Sequence, residues 1–304
     1  MSFSDTKSRP PYPRADAVLE LIKPITWFPP MWAYLCGIVS SGVPISENLV
    51  LFFVGLLLAG PIVCGMSQAA NDWCDRFVDA INEPNRPIPS GRVPGHWGLW
   101  IALGMSVLAL AIAPLLGPWG FGATFIAVLA AWAYSAEPIR AKRSGWWGPG
   151  LVALCYEGLP WITGVAVLSS LGPNWQTLSI ALLYAAGAHG IMTLNDFKAL
   201  EGDRETGLRS LPVVYGPKVA ARIACVVMAV PQVIVIALLS LWGAMLPAAV
   251  ILLLLIAQLV AMRTLLRDPK GRAPWYNGVG VGSYVMGMMA AAIGLRMLNA
   301  GGFG

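Results

Sequence analysis

The sequence predicts an all-α membrane protein, a bundle of about nine transmembrane helices. Three observations carry that expectation. Of 304 residues, 57% are hydrophobic and 12% charged, against about 25% charged in soluble globular chains, and mean hydropathy is +0.67. Apolar runs of about 20 residues, long enough to cross a bilayer, recur from end to end. Charged residues collect between those runs. Backbone groups find no water inside lipid, so helices, which satisfy their own hydrogen bonds, are the expected spanning elements.

The elements follow in order. Residues 1–14 are polar and proline-containing, without the apolar core or small-residue cleavage site of a secretory signal. Residues 1–16 therefore read as a disordered cytoplasmic tail, and 17–304 as one polytopic domain. Apolar windows lie at 24–42 and 47–70, the second running directly into the charged segment Asn71–Arg92. The next two, 97–117 and 119–137, are joined by the short uncharged stretch Gly117–Gly120. Windows at 149–169 and 175–194 lead into a second polar segment, and 217–241, 244–265 and 276–298 complete the set. Pro61, Pro160 and Pro231 interrupt spans, and Gly and Ala are frequent, which suits kinked, closely packed helices around an interior cavity.

Lys and Arg test this topology, because positive charge is retained on the cytoplasmic side. Nineteen of the 20 fall in alternate connecting segments, and Arg296 alone falls on the other side. An odd helix count then places the N-terminus and both acidic segments in the cytoplasm. The five cysteines show no paired spacing, so neither a disulfide frame nor a zinc site is indicated. The net charge of +5 is spread among membrane-flanking loops and forms no basic face with interleaved aromatics, which argues against nucleic acid as a partner.

The segment Asn71–Arg92, NDWCDRFVDAINEPNRPIPSGR, carries four acids and three arginines at the exit of an apolar run. Asn71, Asp75 and Asp79 stand at i, i+4 and i+8 and stack along one helical face, with Asp72 about 100° round. Oxygen ligands without His or Cys suit a hard divalent ion, and Mg²⁺ takes few protein carboxylates and fills its shell with water and substrate phosphates. A second segment, NDFKALEGDRETGLR at 195–209, offers Asn195, Asp196, Glu201 and Asp203. Asp196 and Asp203 share a face if that helix continues, giving a place for a second Mg²⁺. Arg86, Arg92, Arg140, Lys142, Arg143, Lys198 and Arg204 lie on the same side, available to phosphate oxygens. Juxtamembrane charges are usually solvated loop residues, but carboxylates that continue transmembrane helices twice on one side are costly without a task.

These residues resemble the UbiA-type intramembrane prenyltransferases. Together with YSAEPIRAKRSGW at 134–146 and NDFKALEGDRETGLRSLPVVYG at 195–216, they look like the chlorophyll synthase branch. The resemblance covers essentially the whole chain and implies a nine-helix fold with Mg²⁺ and a prenyl diphosphate at the cytoplasmic mouth. It places the first motif at Asn71, Asp72, Asp75 and Asp79 and implies phosphate contacts for Arg86, Arg92, Lys142 and Arg143. In the second motif, many relatives carry two aspartates four residues apart. This chain has Ala199 and Asp203 there, so Asp196 or Glu201 supplies the other carboxylate.

The expected catalytic set is Asp72, Asp75, Asp203 and Glu157, with Asn71, Asp75, Asp79, Asp196, Glu201 and Asp203 as metal ligands. The implied reaction esterifies the propionate of bacteriochlorophyllide with geranylgeranyl or phytyl diphosphate. The implied setting is a bacterial inner, intracytoplasmic photosynthetic membrane, with pigment-pathway or photosystem-assembly proteins as further partners. A carboxylate acceptor is already ionised at neutral pH and needs no general base. Glu157, inside an apolar window, is either a base or pigment contact or a hydrogen-bonded packing residue. His189 reads more simply as a helix-packing residue than as a pigment ligand. Asp75→Ala and Asp203→Ala are expected to abolish turnover with expression nearly intact. Two alternatives remain: the same architecture acting on a quinone precursor or haem, and a cation-coupled transporter, which would spread carboxylates through the bilayer depth.

Overall fold

The computed structural model describes residues 11–169 and 172–300. Residues 1–10 of the expected tail lie outside them. The remainder of that tail is partly structured, because helix α1 (Ala15–Leu21) begins inside it and buries Ala17 and Leu21. Apart from the isolated bridge between Ser144 and Arg209, the regular elements among the described residues are helical.

Helix α2 (Phe28–Ser40) starts on Pro29 and Pro30, whose fixed φ suits a first turn. Helix α3 (Leu49–Asn82) is capped by Asn48, whose side chain accepts from Leu51 N at 3.4 Å. Pro61 lacks an amide hydrogen and crowds the preceding turn, and α3 widens into a π-turn at Leu58–Cys64 to accommodate it. Helices α4 (Trp97–Ile112) and α5 (Gly117–Ser135) are joined by a 3₁₀ turn at Ala113–Leu116, and Gly117 takes φ +75° there.

Helix α6 (Trp147–Leu168) has its own π-turn at Leu154–Gly158, just before Pro160. Gly37 of α2 and Gly164 of α6 meet face to face. A side chain at either would strike the other helix's backbone, so the two helices touch along their glycines. Trp161 Nε1 donates to Ser40 Oγ at 3.0 Å beside that contact.

After α7 (Trp175–Asn195) come the short helices α8 (Leu200–Glu205) and α9 (Leu211–Tyr215), then α10 (Pro217–Leu241), α11 (Met245–Arg267) and α12 (Pro269–Ala300). Gln232 and Gln258, both fully buried, exchange amide hydrogen bonds of 2.9 and 3.1 Å between α10 and α11. Pairing each other is the way two amides avoid standing unsatisfied among apolar side chains.

Among the described residues, seven helical runs are long and apolar enough to cross a membrane, a count that leaves the expected number of about nine untested, because one run holds two helices, α4 and α5. Helix α2 has 13 residues, short of a full crossing. The two windows at 97–137 correspond to α4 and α5, which with their 3₁₀ joint make a 39-residue run, Trp97–Ser135, about twice the length of one crossing. The all-helical membrane architecture stands. One packed core joins α2, α6, α7 and α10–α12, and a second joins α1–α5.

Candidate active site

A cavity of about 870 Å³ opens at the charged end of the bundle, between the ends of α3 and α7. Gln68, Asn71, Asp75 and Asp79 line it from α3. The last three keep the i, i+4, i+8 stacking read from the sequence, and Gln68 lies one turn earlier on the same face. Extending that face by a turn would have found Gln68, which donates to Tyr156 OH at 3.0 Å where the two π-turned helices meet. Asn71 donates its amide to Ser135 Oγ at 3.4 Å, so its carbonyl oxygen is the atom left for a ligand.

The acids are neutralised by the expected bases. Asp75 is gripped by Arg140 at 3.0 Å and by Lys142, and Asp79 by Arg86 at 2.9 Å. Burial pulls the Lys142 ammonium below its ordinary range, and Asp75 opposes that pull. Asp72 differs: it is 1% exposed, sits outside the cavity lining, and holds Lys23 at 2.7 Å and Arg86 at 3.4 Å. The 100° offset from Asn71 turns it toward the α1–α2 connection, so it anchors that connection and does not face a substrate. Of the expected catalytic set, Asp72 is thus placed off the cavity.

The second cluster does not lie on one continuous helix. Helix α7 ends at Asn195, a 3₁₀ turn covers Asp196–Lys198 with Phe197 buried beneath it, and α8 follows. Asp196, Lys198 and Asp203 still line the cavity. Burial raises the Asp203 carboxyl above its usual range, with Ser210 acting against the rise. Among the described residues no cation lies within ion-pair distance of Asp196 or Asp203. Glu201 points away, its side chain 75% exposed and paired with Lys270 at 2.6 Å, and the exposed Arg204 is absent from the lining. Both lie outside the lining because α8 turns its 201 and 204 positions to solvent.

Of the expected phosphate contacts, Arg86, Arg140, Lys142, Arg143 and Lys198 line the cavity. Arg92 does not. It forms a two-pronged pair with Glu20 of α1, with one contact at 2.8 Å, and also reaches the Asn85 carbonyl at 2.7 Å. Half-exposed pairs of this kind contribute little, about 0–1 kcal/mol. Arg92→Ala is therefore expected to keep turnover within about twofold of wild type, with at most about 1 kcal/mol lost in thermal unfolding; a much larger fall in rate would return Arg92 to the site.

Glu157 lies in the π-turn of α6, 3% exposed, and is enclosed by packing and not by the cavity; its neighbour Tyr156 is the one that reaches the lining. His189 donates from Nε2 to the Trp146 carbonyl at 3.1 Å, a contact that packs α7 against the start of α6.

One side of the mouth is closed by a contact that sequence spacing did not signal. Arg209 N donates to Arg143 O at 3.0 Å and Gly145 N to Arg209 O at 2.9 Å, tying the 138–148 loop to the segment before α9. Gly145 is required there because a Cβ would lie 2.5 Å from Leu211 N and 2.9 Å from Arg209 O, both backbone atoms. Gly145→Ala is expected to separate the loops and lower stability by about 1–3 kcal/mol, read as a lower unfolding temperature with weakened diphosphate binding. An unchanged melting curve would refute it.

Among the described residues no three His, Cys, Asp or Glu side chains come close enough to enclose a metal ion. The chemistry of the donor set remains oxygen-only, in two groups from α3 and from the α7–α8 segment that line one cavity together with cations. That arrangement fits a ligand that brings its own oxygens, such as a metal-bound phosphate, better than a closed metal cage.

Comparison with known proteins bears on which ligand that is. Residues 26–290 match the UbiA prenyltransferase family. The chain is 68% identical over 287 residues to the bacteriochlorophyll synthase 33 kDa chain of Cereibacter sphaeroides, covering 94% of this chain and 95% of that one. It is 63% identical over 300 residues to the bacteriochlorophyll synthase 33 kDa chain of Rhodobacter capsulatus, covering 97% and 99%. In fold it is similar to a UbiA homologue from Archaeoglobus fulgidus solved with GPP and Mg²⁺, with a TM-score of 0.62, 18% identity, and coverage of 92% and 99%. The match over most of the chain, agreeing with the helical bundle and its acid-lined mouth, makes this protein a member of the UbiA prenyltransferase family.

Proposed function

We propose that this protein is a bacteriochlorophyll synthase, transferring a geranylgeranyl or phytyl group from its diphosphate to the propionate of bacteriochlorophyllide and releasing diphosphate. The high identity to relatives of that name supports the acceptor. The observation that carries the chemistry is the cavity, where Asp75, Asp79, Asp196 and Asp203 meet Arg86, Arg140, Lys142, Arg143 and Lys198.

Asn71, Asp75 and Asp79 on one wall, and Asp196 and Asp203 on the other, are the residues that would hold Mg²⁺, as two ions. When bound, Mg²⁺ neutralises charge that develops on the leaving diphosphate. Arg86, Arg140 and Lys142 donate to the phosphate oxygens and hold the diphosphate so that its allylic C1–O bond points into the apolar part of the cavity. Such donors, aimed where charge develops, lower the barrier to ionisation of that bond. The bond breaks with its electron pair on the diphosphate oxygen, and the acceptor carboxylate attacks C1 to form the ester. No proton has to be removed from an ionised carboxylate, which agrees with the exclusion of Glu157 from the cavity.

The positive charges retained on the mouth side support a cytoplasmic active face, with the N-terminus on the same side. The chain is an integral membrane protein, and the photosynthetic inner membrane is its proposed location. Detergent-solubilised protein given Mg²⁺, geranylgeranyl diphosphate and bacteriochlorophyllide should yield esterified pigment. Failure with that acceptor alongside turnover of 4-hydroxybenzoate would refute the proposal.

A further inference from the structure

A second concavity, of about 550 Å³, lies beside the mouth and shares Arg140, Arg143, Ser144 and Gly145 with the main cavity. Trp146 and Trp147, Val214 and Tyr215 of α9, and Arg209 line it. Large apolar side chains are open here: Trp147 is 74%, Tyr215 47% and Trp146 46% exposed. Its size falls within the range of about 300–1,000 Å³ common for organic ligands.

The groove is pre-shaped. Trp146 rests against His189, with ring centroids 5.4 Å apart, and its carbonyl is fixed by the same histidine. The backbone of Arg209 is held on both sides by Arg143 and Gly145. The neighbouring cations are engaged, Arg140 with Asp75 and Glu137 and Arg143 with Glu137. Among the described residues, Arg209 has no carboxylate within ion-pair distance. A guanidinium without a carboxylate partner lining the same concavity as exposed indoles calls for a flat, largely apolar molecule with one carboxylate. An interfacial aromatic belt accounts for tryptophans at this depth. It does not account for a concave site that shares its Ser144–Gly145 wall with the catalytic cavity.

We propose that this groove is the acceptor subsite, in which the ring system of a carboxylate-bearing macrocycle lies against Trp146 and Trp147 while Arg209 turns its carboxylate toward the cavity. The inference rests on the function proposed above and adds the route and the residues by which the acceptor is recognised. A lipid-soluble ring with an anionic group settles at headgroup level, so a lateral groove at the mouth receives it without a passage through water.

The test uses Trp147→Ala and Arg209→Gln, neither of which is placed at the diphosphate. The expected result is a three- to tenfold rise in KM for bacteriochlorophyllide, roughly what an aromatic contact or one charge-assisted hydrogen bond contributes, with KM for geranylgeranyl diphosphate unchanged. Pigment binding without prenyl diphosphate, followed by its absorption shift in nanodiscs, should weaken in parallel. Arg209→Gln should weaken the free acid and leave the methyl ester unaffected. Unchanged pigment KM in both variants would overturn the subsite and leave the function standing. An effect that follows the fraction of anionic lipid would also overturn it, assigning the groove to headgroups. Wild-type protein that never turns over bacteriochlorophyllide would remove the function and the subsite with it.

Discussion

Asp203→Asn is expected to reduce turnover by at least about 10²–10³-fold, the scale on which loss of one preorganised electrostatic group is felt, and to leave the folded protein as stable as wild type or slightly more so. Asp203 is buried, lines the cavity, and has no cationic partner among the described residues. Burial already works against its charge, so a neutral amide of the same shape relieves that cost while deleting an anionic ligand. Asp75→Asn should lose as much activity and behave differently in unfolding. Its carboxylate neutralises Arg140 and Lys142, whose side chains are only 21% and 9% exposed. Removing one partner of a buried pair leaves the other uncompensated at about 3–5 kcal/mol, and partial exposure reduces that here to on the order of 2 kcal/mol. The sequence-based expectation that both variants express normally is thereby revised for Asp75. Initial rates of ester formation and thermal unfolding in detergent separate the two. Wild-type rates in either variant would break the site assignment, and equal unfolding temperatures would break the account of Asp75.

The first cluster was readable because helical spacing alone brings Asn71, Asp75 and Asp79 to one face, whatever the rest of the chain does. The same spacing shows Asp72 off that face, and its partner explains where it goes: Lys23 is 49 positions away, a distance no local pattern spans. Arg92 with Glu20 and Glu201 with Lys270 are held off the cavity for the same reason. Composition and side of the membrane place a charge near the mouth, but a long-range partner decides which way it points. The second cluster is harder to read because Asp196 and Asp203 share a face only on a helix that continues, whereas α7 stops at Asn195. Asp196 and Asp203 reach the cavity by a turn and a new helix. The joints are the part hydropathy does not describe: a short α2 and a 3₁₀ link at Ala113–Leu116 are set by packing and by Gly117, while hydropathy windows register only length.

Lys142→Gln is expected to move the affinities for Mg²⁺ and for the diphosphate in opposite directions. Without substrate, the cations that would contact phosphate sit on the carboxylates that would contact metal: Lys142 and Arg140 on Asp75, and Arg86 on Asp79. Mg²⁺ arriving alone must displace an ammonium from Asp75 and leave that ammonium buried with no partner. A diphosphate arriving alone must draw Lys142 away and leave Asp75 unpaired. When both arrive, the carboxylate passes to the metal and the cation to the phosphate, and neither charge is stranded. Each ligand therefore favours the other, with a coupling of the usual allosteric size, about 5–150-fold, and the same factor in both directions. Removing the ammonium takes one of the two cations off Asp75 and leaves Arg140 there, so Mg²⁺ alone should bind Lys142→Gln about fivefold more tightly than wild type, while a prenyl thiodiphosphate at saturating Mg²⁺ binds about tenfold more weakly. Calorimetric titration of each ligand with and without the other measures all four affinities. If both affinities fall together, Lys142 is a structural partner of Asp75 and no exchange of charges takes place; if they diverge, the salt bridges of the substrate-free site act as a lock that only the metal and the diphosphate together release.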